Sequence, residues 1–332
     1  MTETKEEEEL ELTSLPGVGP ATKQKLNDAG ITSVLDLATA GPMDIADAVD
    51  IDLTKAVELN TKARKKLVEL GRLEPDFVNA ADLLKKRLAI DRISTGSKNL
   101  DDLLGGGVES WAMTEFFGEF GSGKSQICHT LCVMAQLPKE KGGVDGASVY
   151  VDTEGTFRPE RIQEIAESRG LKADEVLARI TVARAYNSAH QELIVKEMGK
   201  VIEANKVKLV ILDSAVAHYR AEFVGRATLA ERQQRLNRFM HQLLRTAEVY
   251  NVAVVVTNQV QAAPDSFFGD PTRPTGGHVV AHTSTYRIYL RKAAKNRIAR
   301  MVDSPYHPER DAVFMLDEKG VDDPPEESVR KR

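Results

Sequence analysis

The chain has 332 residues, 42% hydrophobic and 29% charged, with a formal net charge of -5. That length and balance fit one to three soluble globular domains with a full core. The negative charge argues against adhesion to nucleic acid over the whole surface and leaves local basic patches as the means of any such contact.

The acidic start, Met1–Glu11, is not a secretory signal, and no apolar run reaches membrane-spanning length. The expected setting is therefore the cytoplasm, with no membrane partner. Residues 1–11 carry a run of glutamates that repel one another and are expected to form a disordered tail. Residues 322–332 read as a second tail of the same kind.

Residues 12–70 read as a small all-α domain. The turn Leu15-Pro16-Gly17-Val18-Gly19-Pro20 precedes a helix over 21–29 and a second over 33–38. A Gly-Val-Gly turn between short helices resembles the helix-hairpin-helix motif, in which the N–H groups of Gly17 and Gly19 face a DNA phosphate. A turn used only for packing or protein contact is the alternative. A third helix over 53–70 carries five Lys and Arg residues, a pattern usual for a solvated face. Residues 71–95, with Pro75 and mixed polarity, read as a linker. Phe77-Val78-Asn79-Ala80 lies within it, and a lone linker Phe usually packs on its own domain.

From residue 96 to 321 strand-like and helix-like segments alternate, as in a doubly wound α/β sheet. Strands are expected over 112–117, 147–152, 180–183, 207–213 and 252–257, nearly all apolar, as in a parallel sheet buried on both faces. Those over 285–290, 298–302 and 312–316 follow in quick succession and extend the sheet as hairpins. The clearest helix runs over 229–250, with Thr228 and Glu231 as a candidate capping box. Cys128 and Cys132, one helical turn apart, read as small buried apolar residues in a reducing compartment.

The chemistry centres on Gly118-Glu119-Phe120-Gly121-Ser122-Gly123-Lys124-Ser125, a G-x-x-x-x-G-K-S phosphate loop between a strand and a helix. Its glycines let backbone N–H groups form a cradle for phosphate oxygens, and the helix N-terminus adds positive potential. Lys124 can reach the outer phosphates and Ser125 can ligate Mg²⁺. The strand 208–213 ends in Asp213, the second ligand expected for Mg²⁺. Two carboxylates after the strand 147–152 compete to activate water: Glu154 is favoured for its reach, with Asp152 the runner-up. Arg158 follows and can stack on an adenine. Gln259 ends another strand, suited to sense a γ-phosphate at the root of the Pro- and Gly-rich stretch 261–277. Basic residues cluster over 218–241, including Arg220, Arg226, Arg232, Arg235 and Arg238, and over 285–300. Phe223 lies among the first set and can wedge between bases.

Together these motifs resemble the archaeal RadA family of recombinases and, more broadly, the RecA-like DNA strand-exchange proteins. The resemblance spans nearly all of 12–322. Its most specific segments are 118–125, V-D-T-E-G-T-F-R-P-E-R (151–161), Y-R-A-E-F-V-G-R-A-T-L-A-E-R-Q-Q-R-L (219–236), T-N-Q-V (257–260), G-G-H-V-V-A-H-T-S-T-Y-R (276–287) and D-S-P (303–305). It implies a RecA-like ATPase core that binds ATP and Mg²⁺ through residues 118–125 and Gln126, with Lys124, Glu154 and Gln259 catalytic. Phe77 and Ala80 then form an F-x-x-A polymerisation motif that inserts into the next subunit. Arg220, Phe223, Arg226 and Arg232 belong to a first DNA-binding region, and 261–278, with Gly276, Gly277 and His278, to a second. Asp303 and Pro305 cap ATP bound to the neighbouring protomer, and Asp303 helps hold a monovalent cation such as K⁺. The implied protein polymerises on single-stranded DNA, pairs it with a homologous duplex and works with recombination mediators. Two departures, Ala215-Val216-Ala217 and Ala227, concern loop detail. The rival readings are a regulatory paralogue without strand exchange, a hexameric RecA-fold helicase and a small-molecule kinase.

Overall fold

The computed structural model describes residues 11–71, 73–225, 227–262 and 272–325. Most of both acidic tails, Arg226 and residues 263–271 of the Pro- and Gly-rich stretch lie outside the described residues. The chain divides into two compact units, 1–89 and 90–332.

The first unit is helical: α1 (Pro20–Asp28), α2 (Val34–Thr39), α3 (Pro42–Val49), α4 (Leu53–Glu69) and α5 (Ala80–Leu88). Pro20 and Pro42 each occupy a first turn, where a missing N–H costs nothing. Ser33 and Asp36 form a complete capping box on α2. The Asn60 amide donates to three carbonyls at the end of α2, Leu37, Ala38 and Ala40, tying α4 to it. Leu26, Leu37, Ile45, Ala56 and Leu67 are fully buried between these helices. The linker expected over 71–95 contains α5, capped by the Asn79 side chain, and the short strand β1 (Arg92–Ile93).

In the second unit β1 pairs with β2 (Val108–Glu109), with α6 (Lys98–Leu103) between them in sequence. There follow β3 (Met113–Gly118), α7 (Lys124–Met134), β4 (Ala147–Asp152), α8 (Pro159–Ser168), α9 (Ala173–Ala178), β5 (Ile180–Arg184), α10 (Ser188–Asn205) and β6 (Val207–Asp213). Next come α11 (Ala217–Glu222), α12 (Leu229–Tyr250), β7 (Ala253–Ala262), β8 (Thr272–Pro274), α13 (His278–Thr283), β9 (Tyr286–Ala293), β10 (Asn296–Asp303), β11 (Asp311–Asp317) and β12 (Gly320–Asp322). The main sheet has the order β12-β11-β10-β9-β3-β7-β6-β4-β5, with β8 paired to β7. From β9 through to β5 neighbouring strands are parallel, and from β9 to β12 they are antiparallel.

One apolar cluster packs α7 and α8 on one face of the sheet, and a second packs α10 and α12 on the other. Two buried faces explain why β4 and β6 are apolar almost throughout. Cys128 and Cys132 are buried and free, and burial pushes the Cys132 thiol up to about 12. The capping box expected at Thr228 is not made. Its hydroxyl donates back to the Val224 and Gly225 carbonyls instead, so its oxygen is turned away from α12.

Candidate nucleotide-binding site

Parallel register brings the chemistry to one edge of the sheet. Gly118 at the end of β3 stands opposite Gln259 of β7, and Asp152 of β4 opposite Asp213 of β6. The segment 118–125 makes the turn from β3 into α7. Its shape requires glycine. A Cβ on Gly118 would lie 2.2 Å from the Leu290 carbonyl oxygen, and Gly121 and Gly123 have φ of 72° and 112°. Lys124 Nζ donates to the Gly118 and Glu119 carbonyls, at 2.8 and 2.9 Å. Burial lowers the Lys124 pKa, while Asp213 and Glu154 act in the opposite direction. The Ser122 hydroxyl is buried with no partner among the described residues, and Phe120 is exposed. A cradle closed to side chains, with a desolvated ammonium and an orphaned hydroxyl, fits a bound phosphate chain.

Asp213 is buried and held by three hydroxyls. Tyr150 donates to Oδ2 at 2.7 Å, Thr156 to the same oxygen at 3.3 Å, and Thr257 to Oδ1. Burial, then the neighbouring carboxylate, pushes the Tyr150 pKa up, so its phenol stays a donor. A carboxylate fixed in this way, with Ser125 at the start of α7, is an all-oxygen donor set suited to Mg²⁺.

Geometry separates the two competing carboxylates. Asp152 accepts the backbone N–H groups of Glu154, Gly155, Thr156 and Phe157, and Arg184 lies 3.0 Å from its Oδ1. Its oxygens are occupied in shaping the loop. Glu154 is exposed, and its carboxylate accepts from Gln259 Nε2 at 3.1 and 3.3 Å and from Ser214 Oγ at 3.0 Å. Sequence reasoning missed Tyr150, Thr257 and Ser214, whose roles depend on strand register. Lys292 of β9 reads in the sequence only as part of the basic cluster over 285–300, yet its Nζ would lie 2.7 Å from a Cβ on Gly121 of the phosphate loop.

The remaining expected residues are dispersed. Arg158 donates to the Gly155 and Phe157 carbonyls, and Gln126 accepts from Arg161 Nε at 2.8 Å. Asp303, the last residue of β10, and Pro305 just after it are exposed. Arg220 is exposed on α11 and lines a cavity of about 370 Å³ with Ser214, Ala217, Ala221, Gln259 and Thr275. Phe223, expected to reach bases, is only 8% exposed. It stacks on Tyr219 under Arg235, leaving Val224 as the exposed apolar side chain of the pair. Arg232 is half-buried near the start of α12. Gly276 has φ of 89°, Gly277 caps α13, and His278 opens that helix. The cluster over 285–300, which has no acid of its own, is partly neutralised by other strands: Arg287 pairs with Glu115, and Arg300 and Arg291 with Asp311. In the first unit Gly17 and Gly19 are exposed around a buried Val18. Phe77 is 95% exposed, and Ala80 begins α5.

Residues 86–324 match the family model described as Rad51, and residues 9–65 match that described as a SAM-like helix-hairpin-helix tandem. The chain is 52% identical over 317 residues to the DNA repair and recombination protein RadA of Cenarchaeum symbiosum, covering 95% of this chain and 80% of that one. It is 50% identical over 315 residues to the protein of the same name from Aeropyrum pernix, covering 95% of this chain and 97% of that one.

Proposed function

The chain belongs to the Rad51 family, with the RadA proteins among its relatives, and from that premise we propose how its nucleotide site drives recombination. It is a recombinase of DNA repair and recombination, in a family of DNA-dependent ATPases. In our reading it forms filaments on single-stranded DNA and pairs that strand with a homologous duplex. Base pairing supplies the sequence specificity, and the protein holds the phosphate backbone. We assign it to the cytoplasm, associated with the nucleoid. No described helix is long and apolar enough to cross a membrane.

Lys124 and the N–H groups of residues 118–125 hold the phosphate oxygens of ATP. Ser125 and Asp213 hold Mg²⁺, which when bound offsets the charge that builds on those oxygens. Tyr150 and Thr257 fix the orientation of Asp213. Glu154 orients the attacking water and accepts its proton, and Gln259 reports the γ-phosphate to the stretch 261–278. Arg220, Arg232 and that stretch contact DNA, as Gly17 and Gly19 do in the first unit. Phe77 and Ala80 join protomers, and Asp303 and Pro305 cover ATP on the neighbour, with K⁺ as the monovalent ion beside Asp303.

The observation that carries this reading is the Gln259–Glu154–Ser214 contact at the strand ends facing the phosphate loop. The test is Glu154→Gln. It should lower ATP hydrolysis by roughly 100-fold or more while ATP binding and filament formation on single-stranded DNA persist. Wild-type turnover in that variant would remove Glu154 from the mechanism. Loss of nucleotide binding would make its role structural.

A further inference from the structure

Glu115 of β3 is fully buried, as is most of Arg287 of β9, and the two are direct partners in the parallel register. Arg287 Nε donates to Glu115 Oε2 at 2.7 Å, and its guanidinium lies 5.2 Å from the centroid of the Phe117 ring. The other carboxylate oxygen, Oε1, accepts from Asn258 Nδ2 at 2.9 Å. Asn258 then reaches across to the returning stem of the Pro- and Gly-rich loop. Its Nδ2 also donates to the Thr275 carbonyl at 2.6 Å, and its Oδ1 accepts from the Thr275 hydroxyl. A backbone bond, Thr275 N to Gln259 O at 2.9 Å, completes the clamp.

Stability alone is a weak reason for such a network. Replacing a buried ion pair by apolar residues of similar size is commonly neutral or stabilising, because both charges must be stripped of water. What the pair does supply is direction. It presents one carboxylate oxygen to the asparagine that joins the outgoing stem (258–259) to the incoming one (275). Asn258 is the chain neighbour of Gln259, whose side chain holds Glu154, and Thr275 borders the cavity that Gln259 and Arg220 line.

We propose that Glu115, Arg287, Asn258 and Thr275 form a positioning unit that fixes both stems of the loop to the phosphate-loop strand. A displacement of the loop by DNA then moves Gln259 against Glu154. Glu115, Arg287 and Asn258 touch neither nucleotide nor DNA, Thr275 is the buried foot of the DNA-contacting stretch, and all four act through Gln259. This inference rests on the reading of Gln259 and of the stretch 261–278 given above.

Two measurements test it. In Asn258→Ala, hydrogen exchange of the Thr275 amide should accelerate at least tenfold, because the clamp that protects it is opened. The same variant should keep its Kd for ATP within about threefold of wild type, while kcat in the presence of single-stranded DNA falls at least about tenfold. Thr275→Ser, which keeps the hydroxyl, should retain the wild-type rate with DNA, and Thr275→Val should not. If Asn258→Ala does not fold, the double variant Glu115→Met/Arg287→Met takes its place. It removes the anchor without stranding a charge and should show the same split. Unchanged exchange at Thr275 overturns the clamp, and unchanged kcat with DNA overturns its coupling to the site. A wild-type protein that single-stranded DNA does not stimulate would sink the recombinase mechanism instead, with the exchange measurement still deciding the clamp.

Discussion

His129, one turn into α7, is buried against Tyr150 and Phe157, with ring centroids 5.6 and 5.5 Å away. Its Nε2 accepts the N–H of Arg158, at the far end of the loop that carries Glu154. Burial is the main cause that lowers its pKa from 6.5 to about 4, with Asp213 acting in the opposite direction. The unfolded chain therefore binds more protons than the folded one between those two values. Stability is full above about pH 6.5, falls as the pH drops towards 4, and levels off below. The loss is roughly 3 kcal/mol at about 1.4 kcal/mol per pH unit. Urea denaturation of wild type and His129→Gln at pH 4.5, 5.5 and 7 should show this fall in the wild type only, as the difference between the two. A parallel pH dependence in both proteins would clear His129 of the effect. The residues of this site were unequally legible in the sequence. Lys124 and Asp213 could be read because a motif fixes what surrounds them. The choice between Asp152 and Glu154 rested on reach alone, since the four N–H groups that occupy Asp152 come from the fold of the next five residues. Phe223 sits between arginines in sequence, yet the helical turn from Tyr219 carries its ring inward. Linear spacing does not show that.

At the scale of the element, α5 is the exception in this fold. It buries none of its residues, and Leu84 and Leu88 are exposed together with Phe77 just before its cap. A nine-residue helix has little stability alone in water. The Asn79 cap and the Asp82–Lys85 pair, at 3.0 Å, add only a little. Such an element gains most from a surface that covers it, and we assign that surface to a second copy of the chain. Phe77→Ala removes roughly 2–3 kcal/mol of apolar burial per interface and should raise the concentration needed for assembly about 30–150-fold. Sedimentation velocity reads this directly, and an unaltered distribution would take Phe77 out of the interface. The same helix marks where the sequence was hard to read. Its flanking Pro75 and mixed polarity resemble a linker, because nothing in its own unit imposes an apolar stripe. The strands β4, β6 and β7 were plain for the opposite reason. Burial on both faces makes each a nearly unbroken apolar run up to the site: β4 ends at Asp152 and β6 at Asp213, while β7 continues past Gln259 to Ala262.

For the whole molecule, the parallel sheet places the phosphate loop, Asp152, Asp213 and Gln259 along one edge. Asp303 and Pro305 belong instead to the antiparallel extension, exposed at the end of β10 and just beyond it. If that segment closes over ATP held by the next protomer, each working site needs two intact chains, a head-to-tail arrangement of unlike surfaces. Lys124→Ala spoils one half of the site and Asp303→Lys the other, so each variant alone should be inactive in ATP hydrolysis. Mixed in equal amounts before assembly on single-stranded DNA, they should regain about a quarter of the wild-type rate. That fraction follows because one random neighbour pair in about four joins an intact phosphate loop to an intact cap. Asp303 is exposed, so the charge reversal should leave the fold of its own unit undisturbed. A site complete within one chain predicts the opposite: mixing restores nothing, because every chain carries a defect. An active Asp303→Lys protein would remove the cap from the mechanism before any mixing is needed.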